Sequence, residues 1–174
     1  GFLPVFSTKL AVYGSCDVQW YMSKGVSKEK LEIVGHPRFD RIATQVKLPR
    51  EVIYKKLGLQ PNNKTILIAT NPIAEHETWK SYVEYVLAMN PRIMILIKPH
   101  RNEYKLKLLH DYRLLSAKYR QIKIVPATFG DLYGLIGNVD AVLVELSTIG
   151  IESMLCGVPT LFLRKADYSD LNHD

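Results

Sequence analysis

Residues 139–163 read VDAVLVELSTIGIESMLCGVPTLFL. Ala141 to Val144 is an apolar run of strand length, and the small polar turn Glu145-Leu146-Ser147-Thr148 follows it. A short amphipathic segment comes next, then Gly157, Val158-Pro159 and a second apolar run. The pattern predicts strand, turn, helix, glycine stop and strand. The turn sets two hydroxyls and several backbone N–H groups where a strand's carboxyl end feeds a helix start. Unpaired amides and the positive end of the helix dipole both favour an anion there. The expected use of this turn is one half of a nucleotide-diphosphate site.

Working outward, the same alternation recurs. Strands are expected at Thr65–Ala69, Arg92–Lys98 and Gln121–Val125, each with an apolar centre. Helices are expected over Glu75–Met89, Asn102–Lys118 and Gly130–Ile136. Trp79, Tyr82, Val83, Val86 and Leu87 fall on one face of the first at helical spacing. Leu108, Leu109, Tyr112 and Leu115 do the same in the second. From Thr65 onward the order is βαβαβαβαβ. Alternating elements with unbroken apolar strands predict an α/β fold, a Rossmann-like doubly wound parallel sheet covered on both faces. Ahead of it, Lys9–Tyr13 and Leu31–Val34 read as short strands around a helix at Cys16–Lys24. Pro49 opens a further helix that Leu57-Gly58 stops. Arg164–Asp174 is polar and reads as a tail or a truncated element.

The 174 residues allow one ordinary domain, or one domain and a piece of another. At 47% hydrophobic and 23% charged, the composition supports a packed core. No apolar run approaches the roughly 18 residues of a membrane span. The net charge of +6 suits an anionic partner, but the basic residues are scattered. Nucleic acid, an anionic membrane surface and a phosphorylated ligand are all compatible with that charge, and plain solvated basic faces are the simpler reading. No nucleic-acid partner is expected. Two cysteines 140 positions apart form neither a disulfide framework nor a zinc site, which suits a reducing, cytoplasmic setting. No GxGxxG, GxxxxGK[ST] or GxSxG occurs. This weighs against a nicotinamide domain, a P-loop nucleotidase and a hydrolase elbow.

Ligands of open α/β sheets bind outside the carboxyl ends of the strands, where the strand order reverses. The residues just past those ends are Thr70-Asn71-Pro72, Pro99-His100-Arg101, Pro126-Ala127-Thr128 and Glu145–Thr148. If the five strands from Thr65 onward stand in the order 3-2-1-4-5, Thr70-Asn71 faces Ser147-Thr148 across the crevice. Each residue also has a plainer reading. Ser147 or Thr148 could be only a helix cap, Glu152 a solvated helix residue, and His100 a structural strand-end residue. His36, before Pro37, is expected to hydrogen-bond its own connector rather than do chemistry.

Lys98-Pro99-His100, the Ser147–Glu152 turn and Gly157-Val158-Pro159 resemble the carboxyl-terminal domain of bacterial GT-B-fold enzymes. The similarity is to the CDP-glycerol glycerophosphotransferase and capsule-polysaccharide group, with UDP-N-acetylglucosamine 2-epimerases further off. Val34-Gly35-His36-Pro37-Arg38-Phe39-Asp40 resembles the connector between the two domains of those families. The resemblance implies that Ser147 and Thr148 hold a donor diphosphate and that Glu152 accepts from ribose hydroxyls. It further implies that Thr70 and Asn71 line the pyrophosphate path. Backbone around Val125 and Pro126, with Phe129 or Tyr133, would cradle the base. His100 would be the catalytic residue, contacting phosphate or the transferring group.

The same resemblance implies a boundary near Pro37. Residues 1–37 would be the remnant of a preceding domain with its connector, and 38–174 the nucleotide-binding domain. The parent would be a glycosyl- or glycerophosphotransferase of cell-envelope polysaccharide or teichoic-acid-like synthesis. It would need no bound metal and no cofactor beyond its nucleotide-activated donor. Its missing N-terminal domain would supply the acceptor side, and this chain alone would be inactive. The full protein would be cytoplasmic, with room for peripheral association at the inner membrane face. A UDP-sugar 2-epimerase-like isomerase and a non-catalytic α/β binding module are the alternatives.

Overall fold

The strands of the main sheet are apolar on both faces, and that single property dictates how they are covered. The computed structural model describes residues 5–44, 48–72, 76–145 and 147–163. It contains two compact units, Gly1–Thr44 and Gln45–Asp174. The expected boundary after Pro37 falls just inside helix α2 (Pro37–Thr44), behind its first residue, and the contact division lies after that helix.

The first unit carries β1 (Leu10–Val12), α1 (Ser15–Ser23) and β2 (Leu31–Ile33), followed by α2. The two strands pair in parallel, with Leu10 opposite Leu31 and Val12 opposite Ile33. Asp17 fixes the start of α1: its Oδ2 accepts from the N–H groups of Tyr13 (2.8 Å) and Gly14 (3.1 Å). The His36 ring stacks between Tyr13 and Phe39 at centroid distances of 4.5 and 4.3 Å. Its Nδ1 accepts from the Arg38 N–H at 3.2 Å, as expected of a connector residue.

In the second unit, α3 (Arg50–Leu57) leads into β3 (Thr65–Ala69) and α4 (His76–Met89). Then follow β4 (Met94–Lys98), α5 (Arg101–Lys105), α6 (His110–Lys118) and β5 (Ile122–Ile124). The unit closes with α7 (Leu132–Ile136), β6 (Ala141–Val144), α8 (Thr148–Leu155) and β7 (Thr160–Phe162). All strand pairs are parallel, in the order β5-β4-β3-β6-β7. Counted from Thr65, this is the 3-2-1-4-5 order under which Thr70-Asn71 was expected to face Ser147-Thr148.

Alternation along each strand sends side chains to opposite faces. Leu67, Ala69, Leu96, Val142 and Val144 pack with Ile53 and Tyr54 of α3 and Leu135 and Ile136 of α7. Ile68, Ile95, Ile97, Ile122 and Leu143 pack on the other face with Trp79, Val83 and Leu87 of α4 and Tyr112 and Leu115 of α6. Each such buried side chain contributes roughly 1.5–3 kcal/mol, so the two layers supply most of the driving force. Among the described residues, no helix is long and apolar enough to cross a membrane. The expected tail Arg164–Asp174 and Glu75, the expected first residue of the helix over Glu75–Met89, lie outside the described residues.

One expected helix is two. The segment 102–118 breaks between α5 and α6, with Lys107 at φ 57°. The Lys107 N–H donates to the Tyr104 carbonyl (3.3 Å) and the Leu108 N–H to the Glu103 carbonyl (2.9 Å). These are the two bonds of a Schellman helix end, with lysine where glycine is usual. The stripe accordingly shifts: Leu109, Tyr112 and Leu115 are buried, while Leu108 is exposed.

At the amino ends of the central strands, Asp140 joins three elements. It accepts from Arg50 of α3, Lys64 and the Thr65 N–H, each at 2.8 Å. Arg50 also donates to the carbonyls of Pro61 and Asn63 and lies over the Tyr54 ring. Burial works to raise the Asp140 pKa, but the bonds from Lys64, Arg50 and Thr65 outweigh it and hold it at about 2. A lowered carboxyl pKa contributes stability above the unfolded value of 3.8, and that stability is lost as pH falls toward 2. Lys64 is 76% exposed, which weakens its share. Asp140→Asn is expected to cost about 1–2 kcal/mol in urea unfolding at pH 7 and to flatten the acid limb of the stability profile. An unchanged acid limb would place the stabilising carboxylate elsewhere. Lys107→Gly is expected to raise unfolding stability by about 1 kcal/mol, because a left-handed lysine carries a backbone cost that glycine does not. Equal or lower stability in the same assay would show that the α5–α6 junction is unstrained.

Candidate functional site at the strand-order reversal

Crossovers from β3 to β4 and from β4 to β5 cover one face of the sheet, and those through α7 and α8 cover the other. The chain therefore leaves β3 in one direction and returns to its opposite side as β6. Ala69 pairs with Val144, so the segments after these residues diverge from adjacent strand ends. That opening is the topological switch point. Thr70 and Asn71 follow β3 at that opening, and Glu145 and Ser147 follow β6. Asn71 Nδ2 lies 3.4 Å from Glu145 Oε2, spanning the two strand ends.

Ser147 is the N-cap of α8. Its Oγ accepts from the Ile149 N–H at 3.3 Å. A serine hydroxyl that accepts in this way keeps its own proton to donate, so capping and ligand binding are compatible. Thr148 begins the helix and is exposed. Gly150 allows α8 to lie close to the sheet. A β-carbon there would stand 2.5 Å from the Phe162 ring and 2.9 Å from Val144.

Glu152 is not solvated. It is fully buried on the inward stripe of α8, together with Ser153, between Ile149 and Cys156, which pack on the core. A carboxylate on the core side of a helix is costly unless its surroundings use the charge.

Thr70 takes a more specific role than its rim position implied. It is 2% exposed; its Oγ1 donates to Glu103 Oε2 at 2.6 Å, and its N–H donates to the Lys98 carbonyl. Both protons are committed inward, so Thr70 offers a ligand no donor in this arrangement. Asn71, 6% exposed, reaches across to Glu145 instead.

His100 caps α5. Its Nδ1 accepts from the Asn102 N–H at 3.2 Å, while the His100 N–H donates to Glu103 Oε2 at 2.6 Å. The ring is exposed. The carbonyl of Pro126, an exposed residue, accepts from Phe129 N–H in a turn. Phe129 and Tyr133 pack on the core rather than standing clear as a platform.

The sequence reading passed over Glu103 and gave Lys98 no role beyond its place in the Lys98-Pro99-His100 motif. Glu103 is fully buried and also accepts from the Tyr112 hydroxyl at 2.8 Å. Its signal was local: glutamate three residues after a capping residue. Its depth was not legible, because a five-residue helix has no periodicity to reveal a polar inward face. Burial lowers the Lys98 pKa, against the pull of the Glu103 charge. Burial likewise pushes Tyr104 up to about 12, with Glu103 adding to the rise. Burial also carries Tyr112 well above the ordinary tyrosine value; the Thr70 bond opposes this and the Glu103 charge adds to it. Tyr104 donates its hydroxyl to the Val125 carbonyl. Among the described residues, no group of three or more His, Cys, Asp or Glu could hold a metal ion.

No protein-family model and no curated protein matches the sequence at a significant level. Solved structures do match. UDP-GlcNAc 2-epimerase from Neisseria meningitidis, bound to UDP-GlcNAc, superposes with a TM-score of 0.74 at 18% identity, over 93% of this chain and 46% of its own. The S. aureus MnaA-UDP co-structure gives 0.73 at 16%, over 92% and 43%. The wall teichoic acid polymerase TagF with CDPG gives 0.61 at 16%, over 90% and 38%. The chain spans less than half the length of these proteins. At such identities the likeness is one of fold, and it meets the resemblance drawn from the sequence: a Rossmann-like α/β domain matching those of GT-B-fold proteins.

Proposed function

We propose that residues 45–174 form the nucleotide-diphosphate donor-binding domain of a GT-B-type glycosyl- or glycerophosphotransferase, acting in cell-envelope polysaccharide or teichoic-acid-like synthesis. The observation that carries this reading is the pairing of β3 with β6, which sets Asn71 and the Ser147-capped start of α8 on one rim. The α8 start and the Ser147 and Thr148 hydroxyls would hold the diphosphate and stabilise charge on the leaving nucleotide. Glu152, one turn further along α8, would take the ribose hydroxyls, and the Pro126 turn would flank the base. Thr70 serves this site as a fastener, since its protons go to Glu103 and Lys98. The negative Glu145 on the same rim suits the hydroxyls of a sugar or polyol better than a phosphate.

The first unit would belong to a preceding acceptor-side domain with its connector. Its large apolar side chains support this: Tyr13, Trp20, Met22, Ile33 and Val34 are all exposed. A cleft between two domains supplies much of such a reaction's rate, so this chain alone would bind nucleotide without turnover. No metal is assigned a role. The full protein could work at the inner membrane face as a peripheral protein. A second reading, a UDP-sugar 2-epimerase-like isomerase, is favoured by the higher TM-scores of 0.74 and 0.73 for epimerase-type structures against 0.61 for TagF.

Calorimetric titration of the folded chain with UDP, CDP, GDP and CMP tests the proposal. One nucleotide is expected to bind, and Ser147→Ala and Glu152→Gln should each weaken it about tenfold, the scale of one hydrogen bond to a charged partner. Absence of binding to all four would overturn the donor-domain reading. Conversion of UDP-N-acetylglucosamine without an acceptor by a full-length protein would favour the isomerase.

A further inference from the structure

The ring of His100 and the carboxylate of Glu103 cap each other's segment. His100 Nδ1 accepts from Asn102 N–H at 3.2 Å, and Glu103 Oε2 accepts from His100 N–H at 2.6 Å. The glutamate cannot drift, because three elements grip it. Thr70 at the end of β3 donates to Oε2 at 2.6 Å, Tyr112 of α6 donates to Oε1 at 2.8 Å, and the residue itself is fully buried in α5. The His100 ring, in contrast, is exposed.

A ring nitrogen that accepts a hydrogen bond carries no proton. With Nδ1 accepting, the neutral imidazole holds its proton on Nε2, and Nε2 is the nitrogen left for a ligand. A lone pair at Nε2 would be needed for a general base, and here that position bears hydrogen. We propose that Glu103 is a positioning residue that fixes His100 as an Nε2–H donor, so that His100 hydrogen-bonds an anionic donor oxygen and does not serve as the general base. This rests on reading the rim as a donor-nucleotide site. It assigns removal of the acceptor hydroxyl's proton to a group outside this His100–Glu103 box.

Two measurements test it. The first uses ring 15N spectra of the folded chain at alkaline pH, with His100 assigned by substitution, and needs no ligand. The Nε2–H tautomer is expected for wild type, with His100 resonances shifting toward a tautomer mixture in Glu103→Gln. An Nδ1–H ring in wild type, or spectra untouched by Glu103→Gln, would overturn the proposal. The second compares His100→Asn with His100→Gln against UDP and CDP. Asparagine places its amide near Nδ1 and is a strong N-cap, so Tm should hold while affinity falls about tenfold. Glutamine reaches toward the Nε2 position, so it should cap less well yet stay within about threefold of wild-type affinity. The reverse pattern, with Asn binding like wild type or Gln binding as weakly as Asn, would also overturn it. Failure of the wild type to bind either nucleotide would remove the donor-site reading, and the tautomer spectra would still decide the role of Glu103.

Discussion

A parallel sheet cannot be closed by hairpins; every strand must be reached by a crossover, and every crossover must lie on a face. In this chain that constraint shapes almost everything else. β3 is central and apolar on both sides, with Ile66 and Ile68 on one face and Leu67 and Ala69 on the other. The chain covers one face on its way out to β5 and the other on its way back through β6 to β7. The opening between the β3 and β6 ends follows from that path. It exists because strands that are adjacent in the sheet send their next segments to opposite faces.

Two carboxylates then divide the polar work between the ends of the sheet. At the amino ends, Asp140 gathers Arg50, Lys64 and the Thr65 amide and ties α3 to the central strands. It is partly solvated and charge-paired, a stabilising device well away from the rim. At the carboxyl ends, Glu103 gathers Thr70, Tyr112 and the His100 amide with no solvent access. A buried carboxylate that only accepts is expensive unless each lone pair is used, and its value lies in fixing the groups around it. Of the groups it fixes, Thr70 and the His100 backbone belong to the rim. Glu152 is a second buried carboxylate, on α8. The rim therefore carries polar investment that packing alone does not require.

Much of this was legible in the sequence. The strand positions Thr65–Ala69 and Ala141–Val144 coincide with the structure, because continuous apolar runs bounded by turn residues have few other uses. The alternation of elements announced a parallel sheet, and the strand order taken there as a condition is the one the structure has. Ser147 as the α8 cap could be read from its place before a helical pattern. The break at Lys107 could not, since lysine gives no sign of a left-handed backbone. Nor could the inward turn of Thr70, whose partner Glu103 is 33 positions away in the chain. Glu152 also had a plain reading as a solvated helix residue, and only packing shows that it lies inside.

The sequence by itself determined the fold class, the order of elements and the candidate rim, because hydrophobic periodicity and turn chemistry are local properties. Tertiary structure alone decided what each polar group on that rim can do. Whether Thr70 donates to a ligand or to Glu103, and which nitrogen of His100 carries the proton, depends on partners that folding brings within hydrogen-bond distance. Hydrogen bonds are directional and are exhausted once made. A residue's chemistry is therefore set by its neighbours in space, which spacing along the chain does not specify.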